Sequence, residues 1–257
     1  MFETLQRWFG RDAQDAPVAI PDALWATVTA DLPWLDHLPD TGRARLRELA
    51  GAFLERKQFH GAAGLVLTDA IMLSIAVQAC LPILRAGIDA YRHWVGIVVY
   101  PGDFRVHREI LDEDGVVHAG QTDLLGEAWQ GGPVIVSWQP TTIAEGVNVV
   151  IHEFAHTLDM ANGDADGFPP LPADMDRHAW ADAFGAAYAD LCDRVDHDEP
   201  TALDPYASEQ PGEFFAVASE VFFERPLDLR AAYPAVYAQL KLLFGVDPAV
   251  RAGAGSR

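Results

Sequence analysis

A chain of 257 residues that is 50% hydrophobic is long enough to bury a substantial core, as one large domain or two small ones. Its formal net charge of −20 argues against nucleic acid and anionic membranes as partners, because phosphate-rich surfaces select basic faces. The 2 cysteines, Cys80 and Cys192, exclude a disulfide framework and offer no paired-thiolate metal motif.

Residues 1–20 read as a flexible arm carrying Trp8 and Phe9. They lack a basic region followed by a long apolar run, so no signal peptide is expected and the setting reads as reducing and cytoplasmic. Residues 40–58 place Leu46, Leu49, Phe53 and Leu54 at helical spacing. The run that follows, to about residue 92, reads as further buried helix. Its most apolar part, GLVLTDAIMLSIAVQACLPIL, contains Asp69, Gln78 and a proline, which favours a buried helix over a membrane span. VGIVVYP, 95–101, is a β-branched run ending at proline and reads as a strand. Asp114-Gly115, within HREILDEDGVVHAGQ, signals a hairpin turn. PVIVSW, 133–138, reads as another strand, with an edge along which a peptide could lie. Residues 143–160 read as a central helix ending near Asn162-Gly163, and NGDADGFPPLP reads as loop. Helix returns over 175–195, and a polar loop runs to about residue 209. GEFFAVASEVFFERP, 212–226, reads as a helix closed by Pro226. A last helix covers about 233–244, and residues 249–257 form a Gly/Ala/Ser tail expected to be disordered. The sum is one α+β domain over residues 21–248, mostly helical with a small sheet.

The central helix carries the chemistry. In VVIHEFAHTLDM, His152 and His156 stand four apart, so both imidazoles leave one helix face and reach a single zinc ion. Glu153 is rotated by about 100° from His152, which is where a base acting on the attacking water belongs. The apolar flanks bury the helix and hold the ligands rigidly.

Two histidines need a third protein ligand. Asp159 and Asn162 stand where a metzincin would place Gly and His, which excludes that class. Asp159 lies on the face of His152 and qualifies either as a ligand or as a group orienting an imidazole. Glu213, Glu220 and Glu224 on the 212–226 helix are the other candidates; Glu213 and Glu220 share a face and run beside Phe214, Phe215 and Phe222. Carboxylates in so apolar a helix cost free energy unless paired or ligated, and the alternative is that they face solvent. His107 and His118 flank the expected hairpin and read as surface histidines, His60, His93, His178 and His197 have no partner at ligand spacing, and the Asp164/Asp166 loop lacks a full calcium-binding frame.

Two blocks, HEFAHTLDMANGD and DPYASEQPGEFFAVASEVFF, together with QGGPVIVSW and CLPIL, resemble the Mlc titration factor A family of zinc peptidases over roughly residues 45–245. The resemblance implies one Zn2+ per chain bound by His152, His156 and Glu213. It implies Glu153 as the base and Tyr206 as the hydrogen-bond donor to the developing oxyanion. It implies a gluzincin-like, zincin-type fold similar to the catalytic domain of anthrax lethal factor, and aminopeptidase-type activity on peptide substrates. A Mlc-type sugar-uptake repressor is the implied protein partner. Two functions therefore stand: a zinc metallopeptidase, and a regulatory protein that sequesters a transcriptional repressor. The presence of Glu153 favours the first, since a structural zinc site has no use for a base beside its first ligand.

Overall fold

The computed structural model of the chain describes residues 19–102, 104–111, 117–124, 126–128, 132–138 and 148–252. The expected N-terminal arm up to residue 18, the Asp114-Gly115 turn and residues 253–257 of the expected tail lie outside them.

Helix α1 spans Asp22–Ala30 and a short 3-10 turn follows at Pro33–His37. Helix α2, Asp40–Arg56, buries Leu46, Leu49, Phe53 and Leu54, the apolar stripe visible in the sequence. The next segment corrects the reading of continuous helix to residue 92. Gln58–Gly61 is strand β1, and helix α3 covers only Asp69–Ala79. Thr68 starts that helix by accepting from Ile71 N–H, and Pro82 and Gly87, at φ +81°, stop the backbone from continuing it.

Strand β2, Gly96–Pro101, is followed by the antiparallel pair β3, Phe104–Leu111, and β4, Val117–Leu124, as the hairpin signal indicates. Strands β5, Gly126–Ala128, and β6, Val134–Trp138, complete a four-stranded sheet in the order β1-β2-β6-β5. The first three strands are mutually parallel and β5 is antiparallel to β6. PVIVSW is therefore an interior strand, paired on both sides, and not the edge that the sequence suggested. A half-buried apolar run looks alike in both places, and pairing decides. The edge beside it is β5.

Helix α4 runs Val149–Asp159 and ends in a 3-10 turn at Met160–Asn162; residues 143–147 of the expected helix lie outside the described residues. Asn148 fixes its start, because the side-chain Oδ1 accepts from Ile151 N–H at 3.0 Å. Helix α5, Arg177–Asp196, is capped by Asp176, and a 3-10 turn at Pro205–Ser208 leads into α6, Pro211–Glu224. Pro226 ends α6 but also opens a helix not foreseen, α7, Pro226–Ala232; proline suits a first helical position, where no N–H is needed. Helices α8, Pro234–Phe244, and α9, Pro248–Ala252, start the same way, and α9 runs into the stretch read as tail.

A single apolar core joins the helices to β1, β2 and β6. Behind α4, Phe53, Tyr91 and Trp94 each set their rings 5.5 Å from Phe154. Each such buried aromatic removes enough apolar surface to contribute roughly 1.5–3 kcal/mol. Helices α4 and α6 pack against one another, and both are buried around nearly their whole circumference. This mostly helical α+β fold thus places two helices carrying His and Glu side chains face to face. Among the described residues, no helix is long and apolar enough to cross a membrane.

Candidate metal centre

Burial makes the polar residues of α4 and α6 informative, since each must find a partner or remain costly. Glu213, at 7% exposure, and Glu220, at 4%, both point inward, which overturns the solvent-facing alternative. His152 and His156 hold their rings 4.7 Å apart at 79°. Their Nε2 atoms are 3.1 Å apart, and both meet Glu213 Oε2, at 3.0 Å from His152 and 3.1 Å from His156. Two ring nitrogens and one carboxylate oxygen thus converge on one point, and together they form a group that could hold a metal ion. Their separations suit a small tetrahedral cation with bonds of about 2.0–2.2 Å and an open fourth position.

Surrounding contacts fix two of the three donors, Glu213 and His152. Glu213 Oε1 accepts from Gln210 Nε2 at 3.1 Å, which turns Oε2 toward the histidines. Glu220 Oε1 lies 2.8 Å from His152 Nδ1, and its Oε2 accepts from Asn148 N–H at 2.6 Å. Asn148 Nδ2 then donates to Gln78 Oε1 and to Glu224 Oε1, each at 2.8 Å. A buried polar chain therefore runs from the centre through the cap of α4 to α3 and the end of α6.

Charges follow this arrangement. Burial disfavours the imidazolium of His152, but hydrogen bonds to Glu213 and Glu220 outweigh it and hold the ring well above its ordinary range. Burial likewise raises Glu213, and the two imidazoles overcome it and hold the carboxyl well below the usual range. Burial pushes Glu224 up to about 7, with Asn148 opposing and Glu220 adding to the shift.

Asp159 stands apart from the three converging donors. It is fully buried, and its Oδ2 accepts from Gly167 N–H at 2.7 Å. Burial pushes its carboxyl up to about 7, against the pull of that N–H. The loop it ties is pressed backbone to backbone onto the start of α6. A Cβ on Gly167, which has φ +78°, would lie 2.6 Å from Pro211 O, and one on Gly212 would lie 2.5 Å from Ala165 O. Trp180 of α5 closes the other side by donating from Nε1 to Gly167 O at 3.0 Å.

Glu153 is buried at 5% exposure, on the same helix as the two histidines. Tyr206 lies on the Pro205–Ser208 turn with its ring 6.2 Å from that of His152, and it is 42% exposed. Tyr188 secures that turn by donating to Ser208 O at 3.0 Å, and Asp204 caps it. Burial, then the nearby carboxylates of Glu213, Glu209 and Glu153, push the Tyr206 phenol up, so it keeps its proton. The structure thus brings His152, His156 and Glu213 to one point with the Tyr206 ring beside His152, whereas Glu220 meets His152 from its other nitrogen and Asp159 and Glu224 serve other partners.

Sequence reading missed Gln210, Asn148 and Gln78. Asn148 carried a usable signal, an N-cap residue directly before an apolar helix. Gln210 carried one too, a place at the helix start three residues before Glu213, whereas Gln78 carried none, because Asn148 comes from another element.

Comparisons with known proteins agree with this centre. A family model described as glucose-regulated metallo-peptidase M90 matches residues 6–245. An uncharacterized protein of Synechocystis sp. is 37% identical over 236 residues, covering 88% of this chain and 85% of that protein. Mlc titration factor A of Serratia proteamaculans is 36% identical over 241 residues, covering 91% of each chain. Mlc titration factor A of Salmonella arizonae is 36% identical over 236 residues, covering 90% of this chain and 93% of its own.

Proposed function

The chain belongs to the glucose-regulated metallopeptidase family M90, whose members include Mlc titration factor A, and from that premise we propose that it is a zinc-dependent peptidase of aminopeptidase type. The observation that carries the proposal is the meeting of His152 Nε2, His156 Nε2 and Glu213 Oε2 within 3.1 Å of one another, beside the buried Glu153. Zn2+ fits this set because its preferred donors are imidazole nitrogen and carboxylate oxygen. When bound, the ion supplies Lewis-acid polarisation of a carbonyl and makes water a competent nucleophile near neutral pH.

The protein's own groups do the rest. His152, His156 and Glu213 hold the ion. Glu153 takes a proton from the attacking water and returns it to the leaving amine. Tyr206, protonated and at the mouth of the centre, donates a hydrogen bond to the carbonyl oxygen as it gains charge. The edge strand β5 is the reading we adopt for the line along which a peptide backbone is held. Residues 21–248 then form one zincin-type domain, similar to the catalytic domain of anthrax lethal factor, acting in the cytoplasm.

Relatives named Mlc titration factor A favour a second role that is compatible with the first. In that reading the protein also binds a Mlc-type transcriptional repressor. Hydrolysis of aminoacyl and short peptide chromogenic substrates by the zinc-loaded protein, beside Glu153→Gln, tests the first reading. Turnover by the wild type and not by the variant supports the peptidase. Absence of turnover by either, with repressor binding retained, overturns it in favour of the regulatory role.

A further inference from the structure

Two buried polar atoms near the centre have no hydrogen-bond partner among the described residues, and they belong together. One is His156 Nδ1 and the other is Asp159 Oδ1. His156 is 9% exposed and Asp159 is 0% exposed, so water does not readily serve either. They sit three positions apart on α4, where side chains share a face. The other atoms of both residues are engaged: His156 Nε2 faces Glu213 and His152, and Asp159 Oδ2 holds Gly167 N–H.

A cation at Nε2 needs the lone pair there, which places the ring proton on Nδ1. For His152, that Nδ1 already has Glu220 Oε1 at 2.8 Å. For His156, the buried N–H would need an acceptor, and Asp159 Oδ1 is the buried oxygen that lacks a donor. We propose that Asp159 is a positioning residue that accepts the His156 Nδ1–H when the centre is loaded, so that each imidazole has its own carboxylate. Its second oxygen, through Gly167, holds the loop that packs on the start of α6, and so bears on Glu213 as well. One buried carboxylate thereby couples the second histidine to the third donor. This inference rests on the metal reading given above.

The experiment measures zinc affinity of the metal-free protein by competition with a chromogenic chelator, for the wild type and Asp159→Asn. Asparagine keeps an oxygen for Gly167 N–H but turns an amide N–H₂ toward His156 Nδ1–H. Zinc binding should weaken about 10–100-fold, with the metal-free protein still unfolding cooperatively. A residue that serves only the loop would leave the zinc Kd unchanged, and a Kd within about twofold of wild type overturns the proposal. A second readout needs no variant: in the zinc-loaded wild type, histidine side-chain NMR should show a slowly exchanging, strongly downfield Nδ1–H on His156. Rapid exchange of that proton with water overturns the proposal even if Asp159→Asn fails to fold. A wild type that binds no zinc overturns the metal reading itself, and this inference with it.

Discussion

Glu220 Oε1 lies 2.8 Å from Nδ1 of His152, so a carboxylate of α6 sets the orientation and proton position of a ring on α4. The same carboxylate takes the backbone N–H of Asn148 with its other oxygen. Glu220→Gln keeps the volume but can satisfy only one of those two donors, and its own amide N–H₂ faces the other. Zinc affinity should fall about 10–100-fold in a chelator competition, with helical content by circular dichroism retained. Glu220→Ala removes both acceptors and should also lower stability by about 1–3 kcal/mol for each group left buried and unpaired.

Gly212 is the sequence feature that allows the third donor to stand where it does. A methyl group there would meet Ala165 O at 2.5 Å, so α6 and the 163–167 loop must separate. Gly212→Ala is therefore expected to destabilise the protein by about 1–3 kcal/mol through overpacking. It should also weaken zinc binding, because Glu213 is the next residue. Denaturant unfolding and zinc competition on the same variant check both effects. Loss of stability with an unchanged zinc Kd would show that the loop supports the fold without setting Glu213.

Tyr206 separates chemistry from metal binding. Tyr206→Phe removes only the phenolic hydroxyl from a ring that is 42% exposed, so the fold and zinc content should not change. If the hydroxyl donates to the developing oxyanion, kcat should drop about 10²–10³-fold, with KM little altered. A rise in KM at constant kcat would instead assign Tyr206 to ground-state substrate binding.

The division between what was legible in the sequence and what was not follows from where each partner lies in the chain. His152, Glu153 and His156 are a local pattern on one helix, and the spacing alone places the two rings on one face. Glu213 needed the second block, because periodicity cannot rank it above Glu220 or Glu224; the structure separates them by giving Glu213 the Nε2 atoms and Glu220 an Nδ1. The short strand β1 passed for helix because four residues carry too little periodicity to oppose the apolar runs beside them. PVIVSW passed for an edge because pairing on its second side comes from β5, a three-residue strand with no pattern of its own. The bonds of Gln78 and Asn148 to one another and to α6 exist only when α3, α4 and α6 come together.

Glu224 gives the molecule a pH-dependent cost that can be removed. Burial holds its carboxyl at about 7, up from its ordinary 4.5, and nearby Glu220 adds to the shift while Asn148 and Arg225 oppose it. A raised acid pKa means that the folded state favours the protonated form. The associated stability is fully present below about 4.5 and is lost as pH rises through 7. Above that range a buried charge must be maintained beside Glu220. Glu224→Gln keeps an oxygen for Asn148 Nδ2, which donates to Glu224 Oε1 at 2.8 Å in the native protein, and cannot ionise. The variant should match the wild type near pH 4.5 and exceed it by roughly 3 kcal/mol at pH 8. Denaturant unfolding of the two metal-free proteins between these limits measures the difference, in which the titrations they share cancel. A constant offset across the range would mean that the folded protein does not raise the Glu224 carboxyl, which would overturn this reading.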